Sequence, residues 1–108
     1  MSYDVWYEVE VDGEWVAASE GHNYTSNVSC MWREAGCDLA EFHGRPVTEF
    51  AQPLADAIET MKADPERFRA MNPPNGWGDM DSCVDNFLRP LLREAQIVNQ
   101  SARVCVSR

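Results

Sequence analysis

The stretch Tyr3-Asp4-Val5-Trp6-Tyr7-Glu8-Val9-Glu10-Val11, followed by Asp12-Gly13 and then Trp15-Val16-Ala17-Ala18, decides the fold. Val5, Tyr7, Val9 and Val11 recur at every second position, whereas Asp4, Glu8 and Glu10 fall between them with Trp6 in their row. Successive side chains of a strand point to opposite faces, so this alternation predicts a strand with one face against a core. Asp12-Gly13 is a pair able to take the positive φ angles of a two-residue hairpin turn, and Trp15 to Ala18 is then the returning strand.

Further along, the polar run His22 to Ser29 leads into a short helix expected over about Asn27 to Ala35, with Val28, Met31, Trp32 and Ala35 on its apolar side and Gly36 just past its end. Asp38 to Thr48 contains Gly44 and Pro46 and reads as loop, with one turn around Leu39 and Phe42. Phe50, Ala51, Leu54, Ile58 and Met61 recur at helical spacing, so a helix starts at Thr48 or Pro53 and runs to Ala63. Asp64-Pro65 opens another short helix through Phe68 to Met71.

Asn72 to Gly78 holds two prolines and two glycines and is not helical. Asp79 then caps the longest helix, whose stripe is Val84, Phe87, Leu88, Leu91, Ala95 and Val98. Pro90 removes the bond to the carbonyl of Asn86 and should bend it. Arg103 to Val106 reads as a closing strand. A chain of 108 residues without a repeat or linker holds one domain. The expected class is α+β, residues 1–108 forming a single domain: a small antiparallel sheet, made of the N-terminal hairpin and the C-terminal strand, packed against three to four helices.

Charge supports that closure. Six acids and no Lys or Arg lie between Met1 and Trp32, whereas Arg89, Arg93, Arg103 and Arg108 face only Glu94 in the last twenty residues. Strands from the two ends would attract each other side by side. With 18 acidic against 9 basic residues the net charge is −9, which argues against nucleic acid and against anionic membrane as partners. No run approaches the ~20 apolar residues of a membrane span, and the first residues carry no leader pattern, so a cytoplasmic location is expected. Cys30, Cys37, Cys83 and Cys105 then read as buried thiols, since no CxxC pair marks a zinc site.

No nucleophile signature surrounds His22 or His43, and no phosphate loop, dinucleotide fingerprint or calcium loop occurs. No catalytic residue, metal site or cofactor is therefore assigned. Two polar constellations remain. Asn23, Thr25, Asn27 and Ser29 place hydrogen-bonding side chains at alternate positions ahead of a helix, where they either cap and brace the loop or hold an anion or a carbonyl. Asn75-Gly76-Trp77-Gly78-Asp79 also precedes a helix, and its Trp77 either swings out as a binding surface or folds in to close the core.

The run Asn23-Tyr24-Thr25-Ser26-Asn27-Val28-Ser29-Cys30-Met31-Trp32 resembles the motif of a family of small uncharacterised proteins from phages and bacteria, N-x-T-x-N-x-S-x-M/F-F/W after an N-terminal strand. The Gly-rich segment Asn75 to Asp79 opening a helix, and the β-like stretch after it, are similar too, so the likeness covers most of the chain. Cys30 stands where that pattern has proline. The resemblance implies frequent encoding in phage genomes, and a host cytoplasm as the location, with no established activity.

The expected function is that of a non-enzymatic, phage-type accessory protein that binds a host or phage protein. The alternative is a small-ligand protein that binds or sequesters a nucleotide or metabolite. The candidate binding residues under either reading are Asn23, Thr25, Asn27, Ser29, Trp32, Asn75, Trp77 and Asp79.

Overall fold

The computed structural model describes residues 1–108 as a four-stranded antiparallel sheet with helices packed on one face. The strands are β1 (Ser2–Val11), β2 (Glu14–Ala17), β3 (His22–Thr25) and β4 (Arg103–Ser107). Asp12 and Gly13 have φ of 52° and 82°, the paired positive angles that the hairpin turn requires. Tyr3, Val5 and Tyr7 are buried, so the alternation read from the sequence is the alternation of the sheet. Val11, Trp15 and Val16 remain exposed because the hairpin tip runs beyond the helical layer.

β1 is the centre of the sheet. Asp4 and Val5 pair with both β3 and β4, and Glu8 pairs with both β2 and β4. A strand has two edges, so β2 and β3 must lie end to end along one edge while β4 takes the other. The polar run at His22 is thus a strand before it is a helix start, which corrects the sequence reading. The reason is that β2 covers only Glu8 to Val11, so the backbone groups of Ser2 to Val5 need a second partner on that edge. His and Asn have weak strand propensity, and only the pairing reveals β3.

The helices are α1 (Ser29–Glu34), α2 (Ala51–Ala63), α3 (Pro65–Arg69), α4 (Met80–Ser82) and α5 (Arg89–Ile97). A 3₁₀ turn, Ser26–Val28, leads into α1, and two more, Leu39–Phe42 and Val47–Glu49, lie within the stretch read as loop. Cys83–Leu88 joins α4 to α5 as a π-helical stretch, giving one long helix over 80–97. The Arg89 N–H reaches Val84 O, five residues back, just ahead of Pro90. The helix accommodates Pro90 through a widened turn just ahead of it, as π segments do. The whole stripe of that helix is buried, and the buried Tyr7 hydroxyl ties it to the sheet by donating to Leu91 O at 2.7 Å.

The 43–47 segment seals the outer edge of β4. Gly44 donates to Val104 O at 2.7 Å, Val104 donates to Arg45 O at 2.8 Å, and Val106 donates to His43 Nδ1 at 3.0 Å. An edge covered this way offers no open ladder to another chain. No helix is long and apolar enough to cross a membrane.

Candidate functional site

Pairing of β3 with the first residues of β1 brings Asn23 and Thr25 to the start of the chain. Asn23 Nδ2 donates to Asp4 Oδ1 at 2.9 Å, to Ser2 Oγ at 3.1 Å and to Tyr3 O at 3.3 Å. Thr25 Oγ1 accepts from the Asn27 N–H and caps the 3₁₀ turn. Tyr24, on the opposite face, stacks on Phe87 with centroids 5.6 Å apart. Its hydroxyl accepts from Asp79 N–H at 3.2 Å and lies 3.3 Å from Asp79 O.

That tyrosine clamps the second polar segment against the first. Gly78, at φ +94°, lies so close that a Cβ there would stand 2.6 Å from Thr25 Cγ2 and 3.1 Å from Val28 Cγ1. Both the backbone angle and the contact require glycine. Three side chains brace the same loop. Asn75 Oδ1 accepts from Trp77 N–H at 2.9 Å, Asn72 Oδ1 from Met80 N–H at 2.8 Å, and Asp79 Oδ1 from Ser82 N–H at 2.8 Å. Trp77 is thereby carried on a braced backbone and is nevertheless 70% exposed.

Five of the eight residues singled out in the sequence, Asn23, Thr25, Asn27, Asn75 and Trp77, line one open hollow of about 510 Å³ with Met1 and Ser2. The other three lie elsewhere. Asp79 is a helix cap. Ser29 is buried at the first turn of α1 and lines a neighbouring hollow. Trp32 is fully buried, edge-to-face with Tyr3 at 5.0 Å and 5.5 Å from Phe87. It is therefore core, because α1 turns its apolar side inward against the sheet. Met1 and Ser2 carried no sequence signal, since only the β1–β3 register puts them at the site.

No Asp, Glu, His, Cys, Lys or Arg side chain lines the 510 Å³ hollow. What it offers is amides, hydroxyls and one indole, a set suited to hydrogen bonding and stacking rather than to proton transfer or covalent attack. The histidines are placed apart from it. His43 accepts from the β4 backbone, and His22 pairs with Val5 in the sheet, its Nε2 buried without a hydrogen-bond partner.

Three of the thiols are held protonated. Burial, with Asp38 second, pushes Cys37 up to about 12, and burial, with Asp79 and Cys30 following, pushes Cys83 up to about 12. Cys105 rises to about 11 through burial and then the neighbouring Glu8. No three His, Cys, Asp or Glu side chains converge as metal donors. Comparison with protein-family models, with curated proteins and with solved structures finds no match to this chain.

Proposed function

We propose that this chain acts by binding another protein, seating a polypeptide segment of its partner in the hollow beside Trp77. One observation carries the reading: an exposed tryptophan on a braced turn stands over a hollow edged by amides and without charged side chains. Tryptophan is enriched among the residues that dominate interface energy, and a backbone already ordered loses little entropy on docking. Asn27 and Asn75 can meet the N–H and C=O groups of an extended peptide, since an amide side chain carries both a donor and an acceptor.

The small-ligand alternative is less well supported, because pockets for small molecules enclose most of the ligand within largely apolar walls. This hollow is open, and two of its seven lining residues are apolar. The resemblance of Asn23 to Trp32 to phage-encoded proteins makes a host or phage protein the first partner to try.

The test compares the wild-type chain with Trp77→Ala as baits in host lysate. A protein captured by the wild type and lost by Trp77→Ala, at unchanged melting temperature, supports the reading. No capture, with the bait monomeric throughout, defeats it. A thermal-shift screen against nucleotides and metabolites addresses the alternative, since a ligand at one hundred times its Kd stabilises by about 2.7 kcal/mol.

A further inference from the structure

Beside the Trp77 hollow, and sharing Met1 and Ser2 with it, lies a second one of about 400 Å³ lined by Tyr3, Ser26, Ser29, Arg33 and Arg108 as well. Its charge runs against the molecule. The chain carries a net −9, yet the side chains on this wall include two arginines and no carboxylate. Arg45, Arg67, Arg69, Arg89 and Arg103 are each paired with an acid, whereas Arg33 and Arg108, like Arg93 outside this hollow, are paired with none. Of the acids beside them, Glu34, next to Arg33, pairs with Arg67, and Asp4, across the ladder from Ser107, accepts from Asn23.

Ser29 adds a hydroxyl to the same wall. The residue is 9% exposed, and its hydroxyl, neither hydrogen-bonded within the protein nor sealed from solvent, belongs to the wall of the hollow. A hydroxyl that opens on the hollow and is not used within the protein is free to donate to a ligand atom there. Ser2 adds another donor. Its Oγ accepts from Asn23, which leaves its own proton to give, while the Ser26 hydroxyl is spent on Met1 O.

We infer that this second hollow is an oxyanion site of the phosphate class, with Arg33 and Arg108 supplying charge and the Ser2 and Ser29 hydroxyls supplying neutral donors. Guanidinium forks and separate hydroxyls approach from several directions, which suits a tetrahedral anion better than a planar carboxylate satisfied by a single fork. Distant acids do not forbid it, because charges beyond about 8 Å are largely screened at physiological salt. The anion is either free or carried as a phosphomonoester on a larger molecule. The site stands apart from the Trp77 reading and does not depend on it.

The test is a titration of the isotope-labelled protein with inorganic phosphate at pH 7.5, followed by NMR, with chloride holding the ionic strength constant. The expected result is saturable displacement of the Ser29 and Arg33 amides and of the Arg33 and Arg108 guanidinium signals. In Arg33→Gln and Arg108→Gln, both at exposed positions, binding should weaken by about tenfold or more. Ser29→Ala should weaken it while keeping the fold.

Displacements reproduced by chloride alone, or undiminished in both arginine variants, overturn the inference. O-phosphoserine serves as a second probe: tighter binding than phosphate identifies a phosphomonoester, and equal or weaker binding identifies the free anion. Trp77→Ala should retain the phosphate response, so failure of the polypeptide reading and failure of this one are read separately.

Discussion

Glu8 shows how much one side chain of this sheet joins. Its carboxylate accepts from Trp6 Nε1 at 3.0 Å and from Arg103 Nη2 at 2.8 Å, and Arg103 in turn lies over the Trp15 ring at 3.9 Å. Glu8 and Arg103 are direct cross-strand partners of β1 and β4. The Trp6 hydrogen bond and then the Arg103 one hold the carboxyl down at about 2, against an ordinary 4.5.

A carboxyl depressed in the folded state favours folding above its unfolded value, and that contribution is lost as pH falls through the folded one. Urea denaturation should therefore show stability declining between about pH 4.5 and about 2, and Glu8→Gln should decline less steeply over that interval. Equal slopes would remove Glu8 from the account. Gln keeps only one of the two acceptor oxygens, which shifts stability at every pH, but it cannot titrate, so the difference in slope reads the carboxyl.

At the scale of elements, the two polar segments separate into capping and presentation. Asp79 accepts from Ser82 N–H at the start of the long helix, and loss of such a cap costs about 1 kcal/mol. Asn27 is exposed and its side chain makes no hydrogen bond within the protein, so its removal has nothing structural to break. Denaturant melts should thus place Asp79→Ala about 1 kcal/mol below wild type and Asn27→Ala within about 0.5 kcal/mol of it. A large loss in Asn27→Ala would make Asn27 structural and weaken its assignment to the binding hollow. Asn23, by contrast, holds β3 to β1 through three contacts and belongs with the braces.

Across the whole molecule, the cysteines report on the core. Cys37, Cys83 and Cys105 are buried and Cys30 is half-buried. Burial raises the first three in the folded state above the ordinary thiol value of 9.0, so they favour folding below that value and lose the contribution as pH rises toward about 11 to 12. A thiol reagent at pH 8 should modify Cys30 first, and the other three only when urea unfolds the chain. Cys37 and Cys83 reacting as fast as Cys30 would mean that the helical layer does not close over the sheet.

Much of this architecture was legible in the residues. The alternation from Tyr3, the Asp12-Gly13 turn, the stripe from Val84 to Val98 and the charge contrast between the two ends are local or compositional signals, and each has its counterpart in the structure. Trp32 was misassigned because an aromatic at the end of a polar motif looks the same whether it faces the partner or the core. β3 and the sealing of β4 by His43 and Gly44 were hidden because pairing is non-local and their side chains carry little strand propensity.

What the sequence determined by itself was the set of elements, since periodicity, capping residues and glycine at positive φ act over a few neighbouring positions. What only tertiary structure decided was the meeting of Asn23 to Asn27 with Asn75 to Trp77, and of Arg33 with Arg108 around Ser29. The physical reason is that these meetings depend on which edge of β1 each strand takes. That choice is made by the packing of the whole core and leaves no mark at the residues it brings together.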